Sequence, residues 1–277
     1  MLKFNNIVLK YADKWLFPIE SSDLNPLNLP PNTVRVRTSD GNAPIRNVST
    51  PSTYETATRV TGTTDVFDVY KSGNDFSSFI KQATNLVEVL GANTTGITFM
   101  DYMFANCNNL TSVPLFDTSS VTSMLGMFDK CASLTAVPLY NTSNVTKTRF
   151  MFRGCTSLTT VPLFDMSNVF VMHYMFEGCT SLTSVPLFDT SKGENMSYMF
   201  NGCTSLRAIP LFNTSNATNM NYMFKNCINV QTGALSLYNQ ASTQLAPPSN
   251  HIETFYSCGS NTTTGAAELN QIPSGWK

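Results

Sequence analysis

Residues 151–169 read MFRGCTSLTTVPLFDMSNV, and close copies of this stretch lie on both sides of it. Its cysteine recurs at Cys107, Cys131, Cys155, Cys179, Cys203 and Cys227, always 24 residues from the last. The Met-Phe pair keeps the same step from Met103-Phe104 to Met223-Phe224. Leucine holds its column from Leu110 to Leu206 before giving way to Val230, and proline holds from Pro114 to Pro210 before Ala234. Chance does not keep so many columns in register.

Repeats of about 20–29 residues are the mark of leucine-rich solenoids. Two patterns alternate inside one coil. In Leu110-Thr-Ser-Val113-Pro-Leu115 the apolar residues match the L-x-x-L-x-L strand of such repeats. Asp117-Thr118-Ser119 then offers side chains that cap a helix or turn. After it, Val121, Met124, Met127, Phe128 and Cys131 recur at three- and four-residue steps, which places them on one face of a short helix. The expected fold is therefore an α/β repeat: a solenoid with a parallel β-strand and a short helix per 24-residue coil. It spans residues 75–277, with a degenerate first coil over 75–89. The last coil carries a seven-residue insertion, because the step from Cys227 to Cys258 is 31; the prolines Pro247-Pro248 place it over 246–251. Terminal repeats are expected to be atypical because they close a core that inner repeats leave open.

Residues 1–74 lie outside the repeat. Val34–Arg37 and Tyr54–Tyr70 look strand-like between Gly, Pro and Asn punctuation, so a small β-rich N-terminal domain is expected. It would cover the open edge of the first coil or anchor the module to a larger assembly.

Only 13% of residues are charged, and 17 basic against 18 acidic side chains leave a net charge of -1. That balance points away from nucleic acid and anionic membranes. The N-terminal apolar run Ile7-Val8-Leu9 is too short for a secretory signal or a membrane span, so neither export by an ordinary signal nor direct insertion is expected.

The tempting chemistry resolves into structure. The cysteines are separated by whole coils, with no metal spacing, and sit on the apolar face as reduced, buried residues; no metal and no cofactor is expected. Two histidines, His173 and His251, lie in different coils with no nucleophile motif beside them. Asp117, Asp165 and Asp189 alternate with Asn141 and Asn213, and Asn can cap but cannot act as a carboxylate. No enzyme is expected.

The informative columns are those that change. Tyr102, Gly126, Phe150, Tyr174, Tyr198 and Tyr222 form a column, aromatic except at the glycine, that helical projection turns to solvent. Beside it, Asp101, Leu125, Arg149, His173, Ser197 and Asn221 change every time, and Phe99, Ser123, Lys147, Val171, Asn195 and Asn219 nearly as freely. Rigid aromatic area flanked by adaptable polar groups suits recognition. The candidate ligand-binding set is Phe99, Asp101, Tyr102, Lys147, Arg149, Phe150, Phe170, Val171, His173, Tyr174, Asn195, Ser197, Tyr198, Asn219, Asn221 and Tyr222. Stacking of the aromatics along the repeat, with no ligand, is the competing reading. A second ladder, Phe116, Tyr140, Phe164, Phe188 and Phe212, is more uniform and suits stacking, or else a carbohydrate- or peptide-binding face.

The pattern MFxxCxSLTxVPLFDTSxVTxM resembles the BspA-type leucine-rich-repeat surface proteins, in the variant typical of mycoplasma-type lipoprotein repeats. The segment from Gly265 to Trp276 is similar to a cap that follows such repeats. The resemblance implies adhesion to host proteins and surfaces without catalysis. This chain departs from surface-anchored members by having no leader and no early cysteine, which shifts the expectation toward a bacteriophage-borne member. The expected function is a non-enzymatic binding or adhesion module for a host-surface protein or glycan, in a phage tail or a bacterial adhesin. The alternative is a structural phage protein whose solenoid mediates subunit contacts. The N-terminal domain would join other virion or surface-assembly proteins, and the expected location is a virion or cell surface, otherwise the cytoplasm.

Overall fold

Two residues in every coil adopt a left-handed backbone, four positions apart, and this decides the local structure. The first is the aromatic column, from Tyr102 to Tyr222, at φ between 55° and 62°. The second is Asn106, Lys130, Gly154, Gly178, Gly202 and Asn226, a Gly/Asn-rich column suited to that conformation. A right-handed helix cannot run through such positions. The short helix expected in each coil is therefore replaced by consecutive turns. Met127 N–H donates to Met124 O, Asp129 to Gly126 and Cys131 to Phe128, while the alternate N–H groups of Met124, Gly126 and Phe128 donate to Lys147, Arg149 and Met151 of the next coil. Turns keep the three- and four-residue spacing of apolar side chains, which is why the sequence reads as helical.

The computed structural model describes residues 27–44, 56–244 and 246–277, with the backbone of β1 (Val8–Ala12) and β2 (Trp15–Ile19), an antiparallel pair. Residues 1–7, on which the reading of the N-terminus partly rests, and Tyr54 lie outside the described residues.

The strand expected at Leu110–Leu115 and its copies is also reduced. A proline without an N–H stands in each copy, and Phe164, Phe188 and Phe212 fold back to donate to the proline carbonyl two residues earlier. Single bonds survive between neighbouring coils, as in Thr159 N–H to Thr135 O, Thr183 N–H to Thr159 O and Arg207 N–H to Thr183 O. A parallel ladder instead runs on the turn side, joining Asp75, Phe99, Ser123, Lys147, Val171, Asn195, Asn219 and Asn250 in order. Asp117, Asn141, Asp165, Asp189 and Asn213 each accept the N–H two residues on, so they cap turns rather than helices.

Between the two sides lies a double column of rings. Phe104, Phe128, Phe152, Phe176, Phe200 and Phe224 stack at 5.1–5.7 Å and interleave with Phe116, Tyr140, Phe164, Phe188 and Phe212. The second ladder is at most 2% exposed, so it is core and not a binding face. The thiols of the six cysteines from Cys107 to Cys227 each donate to the backbone oxygen 27 residues earlier, as Cys155 Sγ does to Phe128 O at 3.1 Å. All seven cysteines are buried and free, and burial pushes the Cys107 and Cys227 thiols up to about 12.

The two ends close differently. A four-stranded antiparallel sheet, in the order β4 (Thr56–Arg59), β5 (Val66–Tyr70), β3 (Thr33–Thr38), β6 (Leu86–Asn93), precedes the main run of coils. Strand β6 belongs to the first coil: one edge pairs with β3, and the other exchanges Thr111 N–Val87 O and Val89 N–Ser112 O with the second coil. The strand expected over Tyr54–Tyr70 divides into β4 and β5 around a turn at Thr61-Gly62. At the far end, α1 (Ala234–Thr243) absorbs the insertion, since Gln244 already occupies the turn position by bonding Thr214. The insertion thus precedes 244 rather than falling at 246–251, because a helix advances about 1.5 Å per residue against about 3.3 Å for extended chain. Glu268 of α2 (Thr263–Gln271) accepts the N–H groups of Gly233 and Leu235 at the start of α1. Trp276 packs on Phe255 and lies parallel to His251 at 4.1 Å, ending the ring column.

Candidate functional site

The aromatic column and its two neighbours form one continuous face beside the parallel ladder. Tyr174 and Tyr198 stack at 4.6 Å and 11°, Tyr198 and Tyr222 lie 4.6 Å apart at 34°, and Phe150 meets Tyr174 at 5.1 Å. These residues are half-buried rather than exposed, because the left-handed turn lays each ring against its neighbour. Their faces are consumed by the stack. The hydroxyls of Tyr174, Tyr198 and Tyr222 make no hydrogen bond to another described residue. At Gly126 the column has no side chain, and the Tyr102 ring occupies the space that a Cβ would need. Gly126 is buried, contrary to its projected outward position.

A charged column that sequence projection did not single out borders the rings. Arg153 forks onto Asp129 with two bonds of 2.7 Å; Asp129 is only 4% exposed. Asn201 bonds Glu177, and Lys225 pairs with Glu253 at 2.6 Å. Arg149 and Arg153 both lie over the Phe150 ring, at 4.2 and 4.1 Å. Alternation of sign at the 24-residue step, Asp129, Arg153, Glu177, was the available signal.

On the other flank several candidates have structural duties. Asp101 accepts from the Ser123 hydroxyl and the Leu125 N–H. Asn195 accepts the Ser197 N–H and hydroxyl, Asn219 the Asn221 N–H, and Asn221 the Ile252 N–H. Ser197 is buried at 5%. Phe99, Lys147 and Phe170 are exposed, while Arg149, Val171 and His173 are half-buried. Burial and the nearby Arg149 charge lower the His173 pKa to about 4, so the ring is neutral at pH 7. The structure thus brings Lys147, Arg149, Phe150, Val171, His173 and Tyr174 together, while Phe99 and Asn219 lie far apart from each other, each one rung in from an end of the ladder.

A separate stripe went unread in the sequence. Leu163, Leu187 and Leu211 are 54%, 59% and 53% exposed, although they belong to the apolar L-x-x-L-x-L pattern. Each follows the proline whose kink turns it outward.

The family model described as "Mycoplasma protein of unknown function, DUF285" matches residues 74–184 and 159–246, more than half of the chain. The chain belongs to this family. It is the BspA-like, mycoplasma-type repeat that the sequence resembles, and in this DUF285 member the matched residues are those bonded at the 24-residue step. A solved leucine-rich repeat protein from Eubacterium ventriosum is similar, at 24% identity and a TM-score of 0.42. The similarity covers 74% of this chain and 48% of that one, so the chain spans about half the length of this relative. No curated protein matches the chain. No helix among the described residues is long and apolar enough to cross a membrane.

Proposed function

We propose that this DUF285 chain is a non-enzymatic binding module, a solenoid whose ladder face recognises a host-surface protein or glycan. One observation carries the reading. Phe99, Ser123, Lys147, Val171, Asn195 and Asn219 occupy equivalent rungs of one parallel ladder, so side-chain identity changes there while the backbone frame does not. A surface on which chemistry varies freely over a fixed scaffold is the physical requirement for tuning recognition. The setting we favour is a bacteriophage receptor-binding component or a bacterial adhesin. A second reading is assembly through the N-terminal sheet. It is supported by β4, whose outer edge pairs with no strand among the described residues.

Replacing Tyr174, Tyr198 and Tyr222 together with alanine tests the face by binding to an array of surface proteins and glycans. The phenylalanine triple variant retains the stack and removes only the hydroxyls. Weaker binding in both, with unchanged circular dichroism for the phenylalanine triple, is expected; unchanged binding in both argues against this face.

A further inference from the structure

The aromatic-column rung is missing at one coil. In five coils the N–H of the aromatic-column residue donates to the next coil: Tyr102 to Leu125, Gly126 to Arg149, Tyr174 to Ser197, Tyr198 to Asn221 and Tyr222 to Ile252, at 2.7–3.0 Å. The corresponding rung from Phe150 to His173 is not made. The adjacent column shows the same interruption. An Asp or Asn oxygen covers the N–H of Leu125, Ser197, Asn221 and Ile252. For the N–H groups of Arg149 and His173, the residues in the acceptor positions are Leu125, Lys147, Arg149 and Val171, none of which has a side chain that can accept a hydrogen bond.

Unpartnered side chains converge on the same place. Arg149 Nε and His173 Nδ1 are buried without a hydrogen-bond partner. The ion pairs among the described residues are Arg35–Asp68, Arg37–Asp65, Arg37–Glu88, Arg153–Asp129 and Lys225–Glu253, and they include neither Lys147 nor Arg149. The acids of this face are engaged, Asp101 by Ser123 and Leu125, Asp129 by Arg153 and Glu177 by Asn201. A half-buried guanidinium without an acceptor is costly and favours an incoming anion.

We infer that Arg149, Lys147 and the uncovered turn at His173 form a seat for one carboxylate of an acidic protein segment. The planar guanidinium matches a carboxylate in two-point geometry, with Lys147 adding charge at the exposed rim. Exposed Phe170 and half-buried Val171 beside it supply apolar contact for the flanking chain. A sugar is the poorer occupant, because the tyrosine ring faces it would stack on are already paired with each other. The inference rests on the ladder face being the binding face.

The test uses a fluorescent oligoglutamate, which needs no cognate partner. Binding should weaken by roughly tenfold in Arg149→Gln, as expected on losing a charge-assisted two-point contact. Val171→Asn restores the oxygen that Asn195 and Asn219 supply in their coils. It should weaken binding while leaving thermal stability equal or higher. Arg207→Ala, which removes an exposed cation outside the face, should leave binding unchanged. Equal weakening by Arg207→Ala, no effect of Arg149→Gln and Val171→Asn, or preference for a sulfated oligosaccharide would each overturn the seat. Such a result leaves the binding face standing, since that is judged by the tyrosine variants on the array.

Discussion

At the scale of the residue, the thiol of Cys155 fits its place through both size and a hydrogen atom. It fills space between rings and donates to Phe128 O, which also receives the Cys131 N–H. Cys155→Ala removes that donor and leaves a small void, so a loss of about 1–2 kcal/mol is expected in urea unfolding. The column's recurrence identifies core, but the bond depends on a carbonyl 27 residues away and cannot be read from spacing alone. His173 gives a second test. Its pKa falls from an ordinary value near 6.5 to about 4 in the fold, so the unfolded chain binds the proton more tightly. Stability from this residue is present above about pH 6.5 and is lost as pH drops toward 4. A His173→Gln variant should show a smaller decline in urea midpoint between pH 7 and pH 5 than the parent; an identical decline contradicts the assignment.

At the scale of the element, the coil is a run of turns locked to its neighbours, and its energy lies in the rings between them. Phe176 is fully buried and stacks on Phe152, Phe188 and Phe200. Phe176→Ala is expected to cost about 3–5 kcal/mol, a large share of the stability of an ordinary domain. Gly126→Ala should also destabilise, by about 1–2 kcal/mol, because φ is 58° and the new Cβ meets the Tyr102 ring. Both are read from denaturant midpoints. The period and the buried columns were legible because burial writes apolar residues at fixed steps. Turn and helix were not separable on that basis, since both place such residues three and four apart. The distinguishing signal was the Gly/Asn column from Asn106 to Asn226, whose left-handed backbone forbids the helix. The seat at Arg149 was legible only as variation. Its meaning depends on which coils lack an acceptor at a bonded position, and that bonding appears only in the fold.

At the scale of the whole molecule, each coil is stabilised by its neighbours, with β3 paired to one end and Trp276 stacked at the other. Such arrays lose structure locally. Trp276→Ala should therefore raise hydrogen exchange around residues 250–258 while leaving the coils over 124–206 protected. Uniform loss of protection would mean the coils behave as one cooperative block. The same modularity separates the frame from the surface it displays. The direct test sets the ladder face against the leucine stripe: Lys147→Ser with Arg149→Ser in one variant, Leu163→Ser with Leu187→Ser and Leu211→Ser in the other. Binding of both to the same array of surface proteins and glycans is then measured beside the parent. We expect the first variant to lose binding with its fold intact and the second to retain it; the reverse pattern would contradict the ladder face as the site of recognition.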